Sequence, residues 1–426
     1  MRRLCGLAAL LLSISTSPAW AVQPAGSMTA EEATALAHEV SAKVEQIRGA
    51  RFTRPVAVRV VDAATARAHF RARLLKFWPP EQVRYDQRVY EQLGLLRPGT
   101  DLLKTLLDVL EEQAGAYYDP ENDTFFVLKD MPRSTAPILM AHELTHALDD
   151  QRFNIDGILA KLKENDDRAT AFTAVVEGTG TVVMSLFMLQ EMQAGRLSLE
   201  AVTDLQKSEA GQAAKLMAAP PLLQRSLIAP YQVGQAFLLH GDPTQLTSFR
   251  PADADRAFKD PPQSTEQIIH SEKYWDPARR DLPRTVNLAS LASALGPGWS
   301  QVASGTLGEL TLAVLTGLGP VKLDSTTSAR PENWTNRAAT GWGGDVYQHY
   351  VNGARALTVL AAVWDTEEDA AEFVTALTPL PGRSAFRRGD TTVVLAGDAP
   401  TGSEALANAV FTALAKGRTL PTPTAH

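Results

Sequence analysis

Two histidines four residues apart with a glutamate between them, His142-Glu143-Leu144-Thr145-His146, are the side chains of this 426-residue sequence best equipped for chemistry. On a helix that spacing projects both imidazoles from one face, where each can reach a single Zn2+ at about 2.0–2.1 Å. Glu143 then stands beside the open coordination position. It can take a proton from a water there, whose pKa the ion lowers towards neutrality. Leu144 and Leu148 point the other way, so the helix has a packing face as well as a metal face.

Two imidazoles leave a tetrahedral ion one protein ligand short. No third histidine follows closely, because Asp149 and Arg152 occupy the positions where an extended motif carries Gly and His. Asp149 and Asp150 lie one turn beyond His146 and read either as orienters of the ligands or as solvated charges. Glu177 is the stronger choice. It is centred in the apolar run Ala171 to Met184, where an ionised carboxylate is costly unless an arginine pairs with it or a cation binds it. Gly178 and Gly180 permit another backbone to come close, which suits packing against the His142 helix. One Zn2+ on His142, His146 and Glu177, with Glu143 as proton carrier, is the expected centre.

The elements that must position these groups can be read along the chain. Met28 to Ile47 has helical spacing, Pro55 to Asp62 is a Val-rich strand, and helical stretches follow to Gln113. Residues 116–128 read as a hairpin around Asp119-Pro120-Glu121-Asn122-Asp123. A helix should open at Ser134 or Thr135 and run to about Gln151, and Asn165 can cap a long apolar helix reaching Met192. The signal stays mostly helical from 203 to 315. Gly, Pro, Ser and Thr then accumulate over 317–333, beyond which strands and helices alternate in a small module. The expected organisation is a leader at 1–21, an N-terminal α/β part at 22–130, a helical metal-binding region at 131–325 and a C-terminal α+β module at 334–418.

Composition excludes several functions. With 45% hydrophobic and 21% charged residues the chain can bury a large core. A net charge of -7 and only 7% aromatics argue against a nucleic-acid surface or a polybasic membrane patch. Arg2 and Arg3, the apolar run Leu4 to Ile14 and Ala19-Trp20-Ala21 form a secretory signal, cleaved near Ala21. The expected location is the periplasm or the exterior, with no membrane span once the leader is removed. Cys5, the only cysteine, lies inside that leader, so the mature chain has no disulfide, no cysteine metal ligand and no cysteine nucleophile.

The segments His142 to Gln151, Val176-Glu177-Gly178, Pro262 to His270 and Gly341-Trp342-Gly343-Gly344-Asp345 together resemble the zincin metallopeptidases of gluzincin type. More particularly, the sequence is similar to a group of uncharacterised exported bacterial proteins, over residues 100–370. The resemblance implies Zn2+ on His142, His146 and Glu177, with Glu143 as general base and then proton donor. Thr181 stands where thermolysin-like enzymes hold a His ring with an Asp, and Thr179 where related proteins carry a second acid. Thr124 to Leu128 takes the place of the zincin edge strand that pairs with an extended peptide, with an ordinary internal strand as the alternative. His270 and Tyr274 are candidates to stabilise the oxyanion, with Tyr231 as a rival. Gly341 to Asp345 reads as a tight turn entering a strand.

The fold class expected is α+β, mainly helical, with a zincin-like core, a small sheet beside the His142 helix and the C-terminal module. The expected function is hydrolysis of peptide or protein substrates by an exported zinc enzyme. The competing readings are a non-catalytic envelope protein or chaperone with a structural metal, and a metal-dependent amidase or esterase.

Overall fold

Helices dominate the middle of the chain, and strands gather in two sheets, one before the His142 helix and one near the C-terminus. The fold is α+β and mainly helical. The computed structural model describes residues 28–113, 116–133, 135–162, 164–198, 214–322, 329–377, 379–400 and 402–417. The leader at 1–21 lies outside them.

The first part comprises α1 (Ala30–Arg48), β1 (Ala57–Val61), α2 (Ala63–Phe77), α3 (Pro80–Leu93), α4 (Leu102–Gln113), β2 (Ala116–Asp119) and β3 (Thr124–Leu128). Thr29 and Glu32 close a capping box at the start of α1. The sheet order is β1-β3-β2, with β1 parallel and β2 antiparallel to β3. This corrects the expectation for Thr124 to Leu128. The Val-rich strand β1 pairs with β3 along its whole length, from Ala57 opposite Thr124 to Val61 opposite Leu128, so β3 is central and β1 and β2 are the two edges.

The catalytic candidates lie on the next elements, α5 (Ala136–Phe153), α6 (Ile155–Leu162) and α7 (Asp166–Gln193). Pro137 sits in the first turn of α5, where its missing N–H costs nothing, and Asn154 in the left-handed region (φ 56°) ends the helix. Nearly every residue of α5 from Ala136 to Asp149 is buried, because α1, the sheet and α7 all pack on it. Asn165 caps α7 by accepting from the Arg168 amide. By length and composition α7 could cross a bilayer, yet 67% of its most apolar stretch is buried inside the protein. It is the central helix of the core.

After α7 come α8 (Ala214–Ala218), α9 (Pro221–Leu238), α10 (Pro251–Lys259), α11 (Thr265–Ile269), α12 (Glu272–Trp275), α13 (Ala292–Leu295), β4 (Ser300–Gly305) and α14 (Gly308–Leu315). α7 and α9 cross where Gly178 meets Gly234. A Cβ on Gly178 would fall 2.3 Å from the Gly234 carbonyl carbon, and one on Gly234 would fall 2.1 Å from the Ala174 oxygen. Only glycine at both positions lets the backbones approach this closely.

The C-terminal sheet is antiparallel throughout, in the order β4-β5-β6-β8-β7, with β5 (Trp342–Asn352), β6 (Arg355–Trp364), β7 (Arg383–Arg388) and β8 (Thr391–Gly397). α15 (Glu367–Ala376) and α16 (Ser403–Gly417) pack on it. The module thus begins earlier than residue 334, since β4 pairs with β5 from Ser300 onward. The alternation in Ser300–Gly305 is short and polar, which hides the strand in a stretch that otherwise reads as helical.

Candidate metal centre

His142 and His146 occupy adjacent turns of α5, and their rings meet edge-to-face with centroids 4.5 Å apart. Glu177 comes to them from α7. Its Oε2 lies 3.1 Å from His142 Nε2 and 3.4 Å from His146 Nε2, and one donor atom from each residue lies within 4.8 Å of the others. Burial is near complete: His142 is 5% exposed, His146 1% and Glu177 0%.

Gly180 makes this convergence possible. A Cβ there would stand 2.8 Å from His142 Cε1 and 2.9 Å from His146 Cε1, so any side chain would displace both rings. The two glycines of α7 therefore divide the work. Gly178 seats α9, and Gly180, one half-turn on, makes room for the imidazoles.

The electrostatics favour ligand-ready forms. Burial lowers the pKa of His146, neighbouring His142 lowers it further, and Glu177 only partly opposes them, a direction that favours the neutral ring with a lone pair to offer. For Glu177, burial pushes the pKa up, but His146 and His142 together outweigh it and hold the carboxyl below its ordinary value. Among the described residues, His146 Nε2 and Glu177 Oε1 are buried with no hydrogen-bond partner. Two orphaned buried atoms within a two-nitrogen, one-oxygen set are what a divalent cation would satisfy, and zinc takes such a set.

Glu143 is fully buried beside them. Its Oε2 accepts a 3.0 Å hydrogen bond from the Tyr118 backbone N–H on β2, one of the two edge strands of the sheet. The Tyr118 hydroxyl donates at 3.0 Å to Asp150 Oδ2 and at 2.8 Å to Asp123 Oδ1. Asp150 thus fixes the strand that fixes Glu143, two turns along the same helix. Sequence reasoning missed Tyr118 because a backbone amide leaves no mark of residue type.

Asp149 does something else. It is buried and paired with Arg48, whose Nη2 reaches Asp149 Oδ1 at 3.0 Å and Asp255 Oδ1 at 2.7 Å. Arg152 completes the network on Asp255 with contacts of 2.9 and 2.6 Å. Neither orienter nor solvated charge, Asp149 ties α1 and α10 to α5. Thr181 and Thr179 spend their hydroxyls on their own helix, at the carbonyls of Glu177 and Val175.

The oxyanion candidates are corrected by position. His270 Nε2 lies 3.0 Å from Glu309 Oε1. The Tyr274 hydroxyl donates to the Asp260 carbonyl at 2.7 Å, and its ring packs on Phe237 and Trp275. Both polar groups are committed elsewhere. Tyr231, one turn before Gly234 on α9, stacks on the His142 ring at 6.0 Å between centroids. The Gly178–Gly234 crossing brings it there. Gly341 (φ 80°) turns the chain into β5 as expected, and Asp345 is buried.

Comparison with known proteins adds little to this geometry. Residues 296–411 match a domain of unknown function, DUF8575, which takes in the C-terminal sheet and ends before α16 does. No curated protein sequence matches the chain. A crystal structure from Chloroflexus aurantiacus, provisionally described as a hydrolase with a novel fold, aligns over 64% of this chain and 95% of its own. The identity is 17% and the TM-score 0.35. At that level of similarity it carries no argument about this chain.

Proposed function

We propose that the protein is a metal-dependent hydrolase, that its ion is zinc, and that it cleaves peptide bonds outside the cytoplasm. The observation that carries the reading is the buried convergence of His142, His146 and Glu177 within 4.8 Å, with the Glu143 carboxylate beside it. A zinc ion bound there would supply a Lewis acid and bring the pKa of water near neutrality.

The residues do the rest. Glu143, held through Oε2 by the Tyr118 amide, takes the proton of the attacking water and returns it to the leaving amine. Tyr231, beside the His142 ring, is the phenol placed to donate to the developing oxyanion. The backbone of β2 offers the sheet edge along which an extended peptide could align. Export rests on the leader-like residues 1–21.

Metal analysis and peptide-library cleavage test the proposal together. The purified chain should carry about one zinc, and Glu143→Gln should keep it while losing about 10²–10⁴-fold in hydrolysis. Zinc retained in a wild type that cleaves nothing would support a structural metal in a binding protein or chaperone, and full hydrolysis in Glu143→Gln would overturn the role of Glu143. Cleavage of esters or non-peptide amides alone would make the enzyme an esterase or amidase.

A further inference from the structure

The metal centre leaves the segments Pro262 to His270 and Gly341 to Asp345 without a role. They meet at a cavity of about 250 Å3 between the N-terminal end of α7 and the C-terminal sheet, lined among others by Arg168, Gln263, Arg284, Thr285, Trp342 and Asp345. DUF8575 supplies the sheet side of it.

Of the two arginines, Arg284 is occupied. Its Nη1 pairs with Asp390 at 3.0 Å and its Nη2 donates to the Trp364 carbonyl. Arg168 is not. Among the described residues its guanidinium has no ion pair, and its Nε is buried without an acceptor. An arginine keeps its proton, so a cationic group that lines a cavity without an ion pair among the described residues is suited to an anion held there. The acid in the wall cannot serve, because Asp345 is already engaged. Its oxygens accept from the Leu307 and Gly308 amides, both at 2.8 Å, and from Trp342 Nε1 at 2.9 Å. The other acid of the lining, Glu164, is exposed and makes no ion pair with Arg168 among the described residues.

We propose that this cavity binds a small monocarboxylate through the fork of Arg168. The planar guanidinium matches a planar carboxylate in two parallel hydrogen bonds. Glu164 and Asp345 in the lining oppose a second negative charge, which disfavours phosphate. At roughly 30 Å3 per water-sized group, the volume admits about eight such groups, enough for acetate or a single amino acid. The site is independent of the metal centre, so the two proposals fail separately.

Saturation-transfer NMR of acetate on the full chain, with glycine and inorganic phosphate as competitors, tests it. Acetate should bind saturably, glycine should compete, and phosphate should bind more weakly than either. Arg168→Gln should raise the acetate Kd about tenfold or more, with its folding checked by circular dichroism. Should that variant not fold, Arg168→Lys keeps the charge without the fork and should bind acetate more weakly than wild type. The proposal is overturned by non-saturable binding to the wild type, by variant affinity equal to wild type, or by phosphate binding more tightly than acetate.

Discussion

Two groups of three potential ligands exist among the described residues, and they solve the same problem differently. Glu266, Asp281 and Asp365 surround the ammonium of Lys273, with Nζ at 2.6, 2.9 and 3.6 Å from their oxygens. Burial alone would lower the pKa of Lys273, but these acids more than reverse it and keep the lysine charged. His142, His146 and Glu177 have no lysine or arginine within ion-pair distance among the described residues, and each finds only the others. Clustered acids with an internal ammonium need no metal. A buried carboxylate facing two imidazoles has a place for one.

The sharpest break of that comparison exchanges one acid in each group. Glu177→Ala should abolish zinc binding, whereas Glu266→Gln should leave the zinc content of the purified protein unchanged. Equal retention in both variants would dissolve the distinction, as would zinc loss confined to Glu266→Gln.

Removing the internal cation comes next in size. Lys273→Met leaves Glu266, 1% exposed, without its 2.6 Å partner. Because Lys273 itself reaches solvent at 22% side-chain exposure, the expected cost is about 2–3 kcal/mol, below that of a wholly buried pair. Denaturant unfolding would measure it. A loss smaller than about 0.5 kcal/mol would mean that the acids do not depend on the ammonium.

Gly180→Ala should cost less in stability, about 1–2 kcal/mol, yet act selectively on the metal. Its Cβ would press on both imidazoles at under 3.0 Å, so zinc affinity should fall at least tenfold while helix content is retained. An unchanged zinc Kd, measured by competition with a chromophoric chelator, would show that the rings have room to yield.

Much of this site was legible in the sequence because its signals are local. The four-residue spacing of His142 and His146, the N-cap at Asn165, and the cost of a carboxylate in an apolar helix each depend on a few neighbouring residues. What was not legible is non-local. β3 becomes a central strand only because β1, 67 residues earlier, pairs with it. Asp149 reads as a possible ligand orienter until Arg48, 101 residues away, claims it. His270 and Tyr274 have the right chemistry for an oxyanion, and only the fold shows Glu309 and the Asp260 carbonyl waiting for them.

A third way to bury a carboxylate, by proton rather than metal or ammonium, sets the smallest prediction. Asp167 of α7 is 1% exposed, accepts from the Thr265 amide at 3.1 Å, and sits where a Cβ on Gly308 would be. Burial pushes its pKa up to about 7, with Asp345 from β5 and Glu309 from α14 adding to the rise and the Thr265 bonds opposing it. The unfolded chain gives up this proton near the ordinary value of 3.8, while the folded chain keeps it to about 7. Below pH 4 both states are protonated. Between pH 4 and 7 the folded state alone holds the proton, so this group's contribution to stability declines as pH rises and levels off above 7. Asp167→Asn, whose amide imitates the neutral acid without titrating, should flatten that decline, raising stability at pH 8 relative to wild type by on the order of 1–2 kcal/mol. Melting curves of both proteins from pH 4 to 8 measure the difference directly, and any metal-linked pH dependence cancels between them. Parallel curves would mean that Asp167 is ionised in the fold and that the hydrogen bonds from the Thr265 amide and hydroxyl, not a proton, stabilise it there.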